Sequence, residues 1–157
     1  MSVTLKGDRE IRLELASLQQ VTSLAMAKAI ALSAARVEAT AKELCPKDTE
    51  ALAKSIGTEM VMTPDSVTAK VGPTEDIEYG KYVEYGTGIY AVGGVGRKTP
   101  WVYFNQRLGK YFTTKGMKPR PFLFNSLRKH KAWINKAMIY AISDGWGKVK
   151  GMRWTNK

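Results

Sequence analysis

Apolar residues recur every three or four positions along the first quarter of the chain, which predicts a helix from Asp8 to about Leu44. Two overlapping stripes carry this period, the first formed by Ile11, Leu15, Leu18, Ala25, Ala29 and Leu32 and the second by Ile30, Ala34, Val37, Ala41 and Leu44. Asp8 is placed to cap the helix, and Pro46 ends it because proline disfavours a helical conformation in the residue before it. A helix of about 37 residues is about 55 Å long. This is longer than one small domain needs, so the helix either breaks near Gln19 and Gln20 or projects towards a neighbouring molecule.

After Pro46 the pattern changes from a helical period towards alternation. A short helical turn is expected over residues 50–54, capped by Asp48 and Thr49. Residues 55–63 and 67–72 alternate weakly between apolar and polar side chains around Pro64, which predicts an antiparallel hairpin. Residues 77–85, which contain three tyrosines and one valine, are predicted to be a third strand or strand-like segment.

The second half of the chain predicts a loop, another hairpin and a closing helix. Residues 86–99 contain five glycines and few apolar anchors, so we expect a mobile loop there. Residues 101–104 and 110–114 are predicted to pair as a hairpin around Gly109. Pro121 opens the last helix, which is expected to run to Ser143. Its apolar stripe consists of Leu123, Leu127, Ile134, Met138 and Ile142.

Two glycines are expected to end this last helix, Gly145 and Gly147. The fold class predicted is α+β, with long N-terminal and C-terminal helices packed on a small antiparallel β-sheet that carries a long hairpin or loop. A chain of 157 residues fits one domain. We assign residues 1–143 to it and residues 144–157 to a basic tail.

Composition excludes several classes of protein. Hydrophobic residues make up 44% of the chain, enough for a folded core, yet no run of about 18 apolar residues exists to span a membrane. The first residues lack the apolar core of a secretory signal. One cysteine, Cys45, and one histidine, His130, fit a reducing cytoplasm and leave little for metal or nucleophilic chemistry. The chain is thus not expected to be an enzyme or to hold a cofactor or metal.

The net charge of +11 is distributed unevenly along the chain. Residues 97–157 contain 15 Lys and Arg and a single acidic residue, Asp144, whereas residues 1–96 contain 10 basic and 13 acidic residues. Such segregation indicates contact with a polyanion or with acidic surfaces on another copy of the chain.

Three short motifs are weak candidates for ligand chemistry. Residues 86–91 match the dinucleotide pattern G-x-G-x-x-A, but no helix is expected to follow them. Residues 96–99, Gly-Arg-Lys-Thr, resemble the end of a phosphate-binding loop but have Arg97 where glycine should precede the lysine. The acidic group Glu75, Asp76 and Glu78 matches no calcium loop. It is more often a solvated cluster than a cation or nuclease site.

A basic cluster with interleaved aromatics is a stronger candidate, for contact with DNA or a partner. Its members are Arg128, Lys129, Lys131, Lys136, Lys148, Lys150 and Arg153, with Trp146 and Trp154 between the last of them. The basic side chains could neutralise phosphates and the tryptophans could stack on bases, so the cluster would suit binding to nucleic acid. A solvated helix face followed by a tail that docks on a protein is an equally good interpretation.

Three segments, taken in order, resemble the tail-completion or tail-to-head joining proteins of tailed double-stranded DNA bacteriophages. The first is the alanine-rich helix followed by Pro46-Lys-Asp-Thr49; the second is Tyr79-Gly-Lys-Tyr-Val-Glu-Tyr-Gly-Thr87. The third, Lys118-Pro-Arg-Pro-Phe-Leu123, opens the C-terminal helix. The resemblance covers roughly residues 5–143.

Two positions depart from the family pattern. The family usually has glycine at the position of Glu50; since an acidic residue near a helix N-terminus is electrostatically favourable, we expect this exchange to be harmless. The family also often has a second proline where this chain has Asn125, which leaves the start of the last helix open between Pro121 and Asn125.

The resemblance implies a virion structural protein, assembled in the host cytoplasm, that forms a ring at the phage neck. Its expected partners are copies of itself, six per ring, the adjacent tail-terminator or tail-tube and head-connector proteins, and double-stranded DNA in the lumen. Candidates for contacts between subunits or with the lumen are Asp76, Glu78, Tyr82, Glu84, Thr87, Arg97 and Lys98. Candidates for DNA or partner contact are Arg128, Lys129, Lys131, Lys148, Lys150 and Arg153. The alternative function is a free-standing basic protein that binds nucleic acid without sequence specificity.

Overall fold

The computed structural model describes residues 8–46, 50–63 and 66–150. Helix α1 spans Asp8–Leu44 without interruption, as the apolar period predicts. The helix does not break at Gln19 or Gln20; its projection towards a neighbouring molecule stays a prediction. Buried positions in its second half are mostly small residues: Ala27, Ala29, Ser33, Ala34, Val37, Thr40 and Ala41.

A short helix and a hairpin follow α1. Helix α2 spans Ala51–Ser55, strand β1 spans Ile56–Met62 and strand β2 spans Val67–Pro73. The two strands pair with each other in an antiparallel two-stranded sheet, which confirms the predicted hairpin. The predicted caps of α2, Asp48 and Thr49, lie outside the described residues.

Glu50 directly precedes α2 and has φ 54° and ψ −19°. This is the left-handed region, where a side chain is strained and glycine is not. Glu50 also stands where the resemblance to phage tail-completion proteins led us to expect glycine. The backbone thus gives a physical reason for glycine there, which the electrostatic argument from sequence did not consider.

The prediction of a third strand over residues 77–85 is wrong, because Gly80–Tyr85 forms helix α3. Ile77, Gly80 and Val83 recur every third position and face the core, where a Cβ on Gly80 would come within 2.9 Å of the Pro73 ring. The β-forming residue types in this stretch favoured a strand, but their spacing of three suits a helical turn.

The glycine-rich region and the second hairpin come next. Residues 86–99 form a loop that contains two 3-10 turns, Gly88–Tyr90 and Val92–Gly94. Strand β3 spans Trp101–Asn105 and strand β4 spans Lys110–Thr114, paired antiparallel with Tyr103 opposite Phe112. The second hairpin is therefore confirmed.

The C-terminal helix α4 spans Leu123–Lys150. It starts between the two positions left open by the sequence and continues past Gly145 and Gly147, so the prediction that these glycines end it is wrong. A glycine inside a helix costs about 1 kcal/mol relative to alanine but keeps its backbone N–H donor, so it weakens the helix without terminating it.

The chain divides into two compact units. Within the described residues, one unit comprises 8–35, 59–70 and 130–150, and the other comprises 36–58 and 71–129. The second unit contains a core of Ala41, Cys45, Leu52, Ile56 and Phe122. The mixed α+β class is confirmed, although the β structure consists of two separate two-stranded sheets. A single domain over residues 1–143 stays a prediction.

Candidate functional site

Glu84 caps the first turn of α4 from a distant part of the sequence. The residue is only 6% exposed. Its Oε2 accepts hydrogen bonds from the backbone N–H groups of Phe122 (2.8 Å) and Leu123 (3.0 Å), and its Oε1 accepts one from Phe124 (2.8 Å). The first N–H groups of a helix have no partner within it, and a negative charge is favoured at that end. Glu84 was expected to contact a neighbouring subunit or the lumen, but the structure places its carboxylate inside the subunit.

Backbone hydrogen bonds extend this contact on both sides of Glu84. The N–H of Arg120 donates to the carbonyl of Val83 at 2.8 Å, and the N–H of Thr87 donates to the carbonyl of Met117 at 2.9 Å. The Met117 N–H in turn donates to Oγ1 of Thr87 at 2.9 Å. Residues 83–89 and 115–124, which we call the motif junction, thus join two of the segments that carry the phage resemblance.

Glycines let the two backbones of the motif junction approach closely. Gly88 has φ 61°, and a Cβ added to it would lie 2.0 Å from the carbonyl oxygen of Lys115. Gly116 has φ 122°, and its added Cβ would lie 2.1 Å from the carbonyl oxygen of Thr87. Gly88 opens only a single 3-10 turn and not the helix that a dinucleotide site requires. The G-x-G pattern here serves backbone packing.

Polar groups also tie the end of α1 to its surroundings in the second unit. Oγ of Ser126 donates to the carbonyl of Val37 at 2.5 Å, and Ser126 is fully buried. The Glu38 carboxylate accepts hydrogen bonds from Nζ of Lys42 and Oγ1 of Thr58, each at 2.6 Å. These two hydrogen bonds lower the pKa of Glu38, and the one from Lys42 has the larger effect.

The lone cysteine belongs to the core of the same unit. Cys45 is 2% exposed, and burial raises the pKa of its thiol. A buried, protonated thiol is a poor nucleophile. Cys45 thus packs as a small side chain of the core.

The acidic candidates lie on the surface. Glu75, Asp76 and Glu78 are exposed in the turn that leads into α3. Tyr82 is 48% exposed, and Nζ of Lys81 lies 5.2 Å from the centre of its ring. Within the described part of the chain, no group of three or more His, Cys, Asp or Glu side chains is arranged to hold a metal ion.

Two basic candidates occupy the end of the glycine-rich loop and are exposed. Nε of Arg97 donates to Oγ1 of Thr99 at 3.1 Å, and the guanidinium lies 5.7 Å from the centre of the Trp101 ring. Nζ of Lys98 donates to the carbonyl of Gly94 at 2.6 Å. Both side chains have a local partner and still present positive charge to solvent.

The remaining basic candidates belong to α4 or lie beyond it. Arg128, Lys129 and Lys131 are exposed on the helix. Lys148 and Lys150 belong to the last turns of the helix, and their side chains are outside the described set, as is the whole of Arg153.

Sequence reasoning missed one surface, the β3–β4 hairpin. It predicted the element but assigned no candidate residue to it, although large apolar side chains are exposed on both strands. The exposed ones are Val102, Tyr103, Phe104, Tyr111 and Phe112. The continuous apolar run 101–104 indicated this surface, because a strand with one solvated face would alternate between apolar and polar residues.

Comparison with protein families supports the resemblance to phage tail proteins. Residues 9–86 match the family model described as "Bacteriophage HK97-gp10, putative tail-component". Neither a curated protein nor a solved structure matches the chain. Among the described helices, none combines the length and low polarity needed to cross a membrane. The match includes α1 from Arg9 onward and the Tyr79–Gly86 part of the motif that resembles phage tail-completion proteins. Over residues 9–86 the chain thus matches the HK97-gp10-like family of bacteriophage tail components.

Proposed function

We propose that this tail component is a virion structural protein that forms a closed ring at the phage neck and joins the tail to the head. The ring contains six copies and contacts the adjacent tail-terminator or tail-tube and head-connector proteins. It assembles in the host cytoplasm, and double-stranded DNA passes through its lumen.

The observation that carries this proposal is the segregation of exposed charge on a tail-component chain. Glu75, Asp76 and Glu78 are exposed before α3, whereas every charged residue in 85–143 is Lys or Arg. A cyclic ring joins one patch of a subunit to a different patch of the next subunit. Surfaces of opposite charge on one chain supply such a pair of unlike patches.

The motif junction supports a structural role and not a catalytic one. Glu84 and Thr87, two polar residues of the phage-like motif, accept hydrogen bonds from backbone N–H groups of residues 117–124. Both side chains position the polypeptide, which is what an assembly subunit requires of them.

A second candidate function, non-specific nucleic-acid binding, is favoured by the exposed cluster Arg128, Lys129 and Lys131 on α4. In the ring these residues would line the lumen and meet DNA phosphates. In the alternative they would bind duplex DNA without any ring. Log affinity would then fall by about 0.9 per phosphate neutralised for each tenfold rise in salt.

Native mass spectrometry and electron microscopy of the full chain separate the two functions. The neck proposal expects a closed cyclic oligomer, alone or on purified tails. A chain that stays monomeric in both settings overturns it. A monomer that nevertheless binds random duplex DNA with a steep salt dependence would establish the alternative instead.

A further inference from the structure

The β3–β4 hairpin, residues 101–114, has aromatic pairs on both of its faces. Tyr103 stands opposite Phe112 with ring centres 6.1 Å apart, and Phe104 stands opposite Tyr111 with ring centres 5.0 Å apart. Since neighbouring residues on a strand point to opposite faces, the two pairs lie on different faces of the hairpin. Neither face is therefore wholly polar.

Both aromatic pairs are substantially exposed in the single chain. Tyr111 is 75% exposed and Phe104 48% on one face, and Tyr103 is 44% and Phe112 38% exposed on the other. A two-stranded hairpin is marginally stable in water by itself, and clustered exposed apolar side chains mark interaction surfaces. The hairpin is therefore a candidate surface for contact with a partner.

The charge of the hairpin defines what that partner must carry. Arg107 and Lys110 are exposed near its tip, and Arg97, Lys98 and Lys115 flank its base. With acidic residues absent from the whole of 85–143, the matching surface must supply negative charge together with aromatic or apolar contact.

Residues 75–85, which we call the acidic–tyrosine segment, have this combination. Glu75, Asp76 and Glu78 are exposed at its start. Three tyrosines follow at every third position and are also exposed: Tyr79 by 40%, Tyr82 by 48% and Tyr85 by 61%. The segment thus complements the hairpin in charge and matches it in aromatic character.

We infer that the β3–β4 hairpin of one copy docks on the acidic–tyrosine segment of the next copy. Both surfaces are exposed in the single chain, so neither one covers the other within a subunit. Each copy offers one hairpin and one segment, which makes the contact heterologous and able to propagate around a ring. This inference rests on the proposed ring and names the residues that join its subunits.

Charge reversal of each surface in the full chain tests the contact. The segment-reversed chain carries Asp76→Lys and Glu78→Lys, and the hairpin-reversed chain carries Arg107→Glu and Lys110→Glu. Each chain alone opposes like charges at every contact, so the concentration needed for ring assembly should rise at least about tenfold. A control chain with Lys28→Glu and Lys70→Glu changes two exposed residues outside both surfaces. It has the same change of charge as the hairpin-reversed chain and should assemble like the wild type.

Mixing the two reversed chains gives the decisive result. In an alternating ring each wild-type hairpin meets a wild-type segment, and each reversed hairpin meets a reversed segment. The equimolar mixture, and a single chain that carries all four substitutions, should therefore regain rings at the wild-type concentration. Two results, each obtained while the wild-type chain forms rings, would overturn the docking contact but not the proposed ring. In the first, the reversed chains assemble as readily as the wild type; in the second, the mixture of reversed chains forms no rings. A wild-type chain without rings overturns the ring and the contact together.

Crosslinking gives a second measurement that does not depend on how well the reversed chains fold. Tyr82→Cys and Tyr111→Cys are introduced into separate chains, and the mixture is treated with a short bismaleimide. The buried Cys45 is the only native cysteine. A crosslinked dimer from the mixture, absent when either variant is treated alone, supports the contact; equal yields from all three samples overturn it.

Discussion

Oε2 of Glu84 lies 2.8 Å from the backbone nitrogen of Phe122, which has the largest fully buried side chain among the described residues. This bond joins helix α3 to the start of α4 across 38 residues of sequence. It also places the phage-like motif and the α4 N-terminus next to the core residues Leu52 and Ile56.

Glu84→Ala should lower the free energy of unfolding by about 2–4 kcal/mol, because it leaves buried N–H groups without acceptors. Glu84→Gln keeps the size of the side chain but loses the charge and should give a smaller loss. Urea unfolding followed by circular dichroism measures both. The exposed Glu78→Gln is the matched control, and an equal effect at position 78 would refute the capping role.

Glu50→Gly should stabilise the chain relative to Glu50→Ala by about 1 kcal/mol, because only glycine adopts φ 54° without strain. Both substitutions remove the exposed ion pair between Glu50 and Lys54, whose atoms lie 2.9 Å apart. The Gly–Ala difference therefore isolates the backbone conformation. Thermal unfolding midpoints measured in the same buffer would decide, and an alanine variant as stable as the glycine variant would contradict the prediction.

Gly88→Ala should destabilise the motif junction more than Gly93→Ala does. Both glycines have positive φ, but a Cβ on Gly88 would meet the Lys115 carbonyl at 2.0 Å, whereas the space around Gly93 is open. The additional loss should be about 1–3 kcal/mol, the usual cost of overpacking. Equal unfolding energies for the two variants would show that residues 88 and 115 do not approach closely.

Glu38 should contribute stability that disappears in acid. Hydrogen bonds from Lys42 and Thr58 hold its pKa below the ordinary value of 4.5. A carboxyl group whose pKa is lowered by folding stabilises the native state above its unfolded pKa and loses that contribution as the pH falls through the folded pKa. The free energy of unfolding of the wild type should therefore exceed that of the Glu38→Gln variant by about 0.5–1.5 kcal/mol near pH 7.

This difference in free energy of unfolding between the wild type and Glu38→Gln should shrink steadily as the pH falls below about 4.5. Unfolding energies of the two proteins, measured from pH 7 to pH 3, provide the comparison. The exposed Glu43→Gln on the same helix is the control. A wild-type advantage that stays constant over this range would exclude the carboxylate as its source.

The sequence by itself determined the elements that depend on local period and on local breakers. The three- and four-residue spacing predicted α1 from Asp8 to about Leu44. The alternation around Pro64 predicted the first hairpin, and the two short segments on either side of Gly109 predicted the second. These features follow from backbone geometry within a few residues, so they can be read without knowledge of distant contacts. The ordered motifs likewise indicated the phage tail family that the family model confirms.

Only the tertiary structure decided the features that join distant parts of the chain. Val83 and the tyrosines beside it have strand-forming side chains, yet packing of Ile77, Gly80 and Val83 on the core selects a helix. Glu84 is an ordinary acidic residue in the sequence, and its role depends on a helix that begins 39 residues later. Burial and hydrogen bonding are properties of the folded chain, and they moved Glu84 from the expected surface into the interior and showed the hairpin as an exposed apolar element.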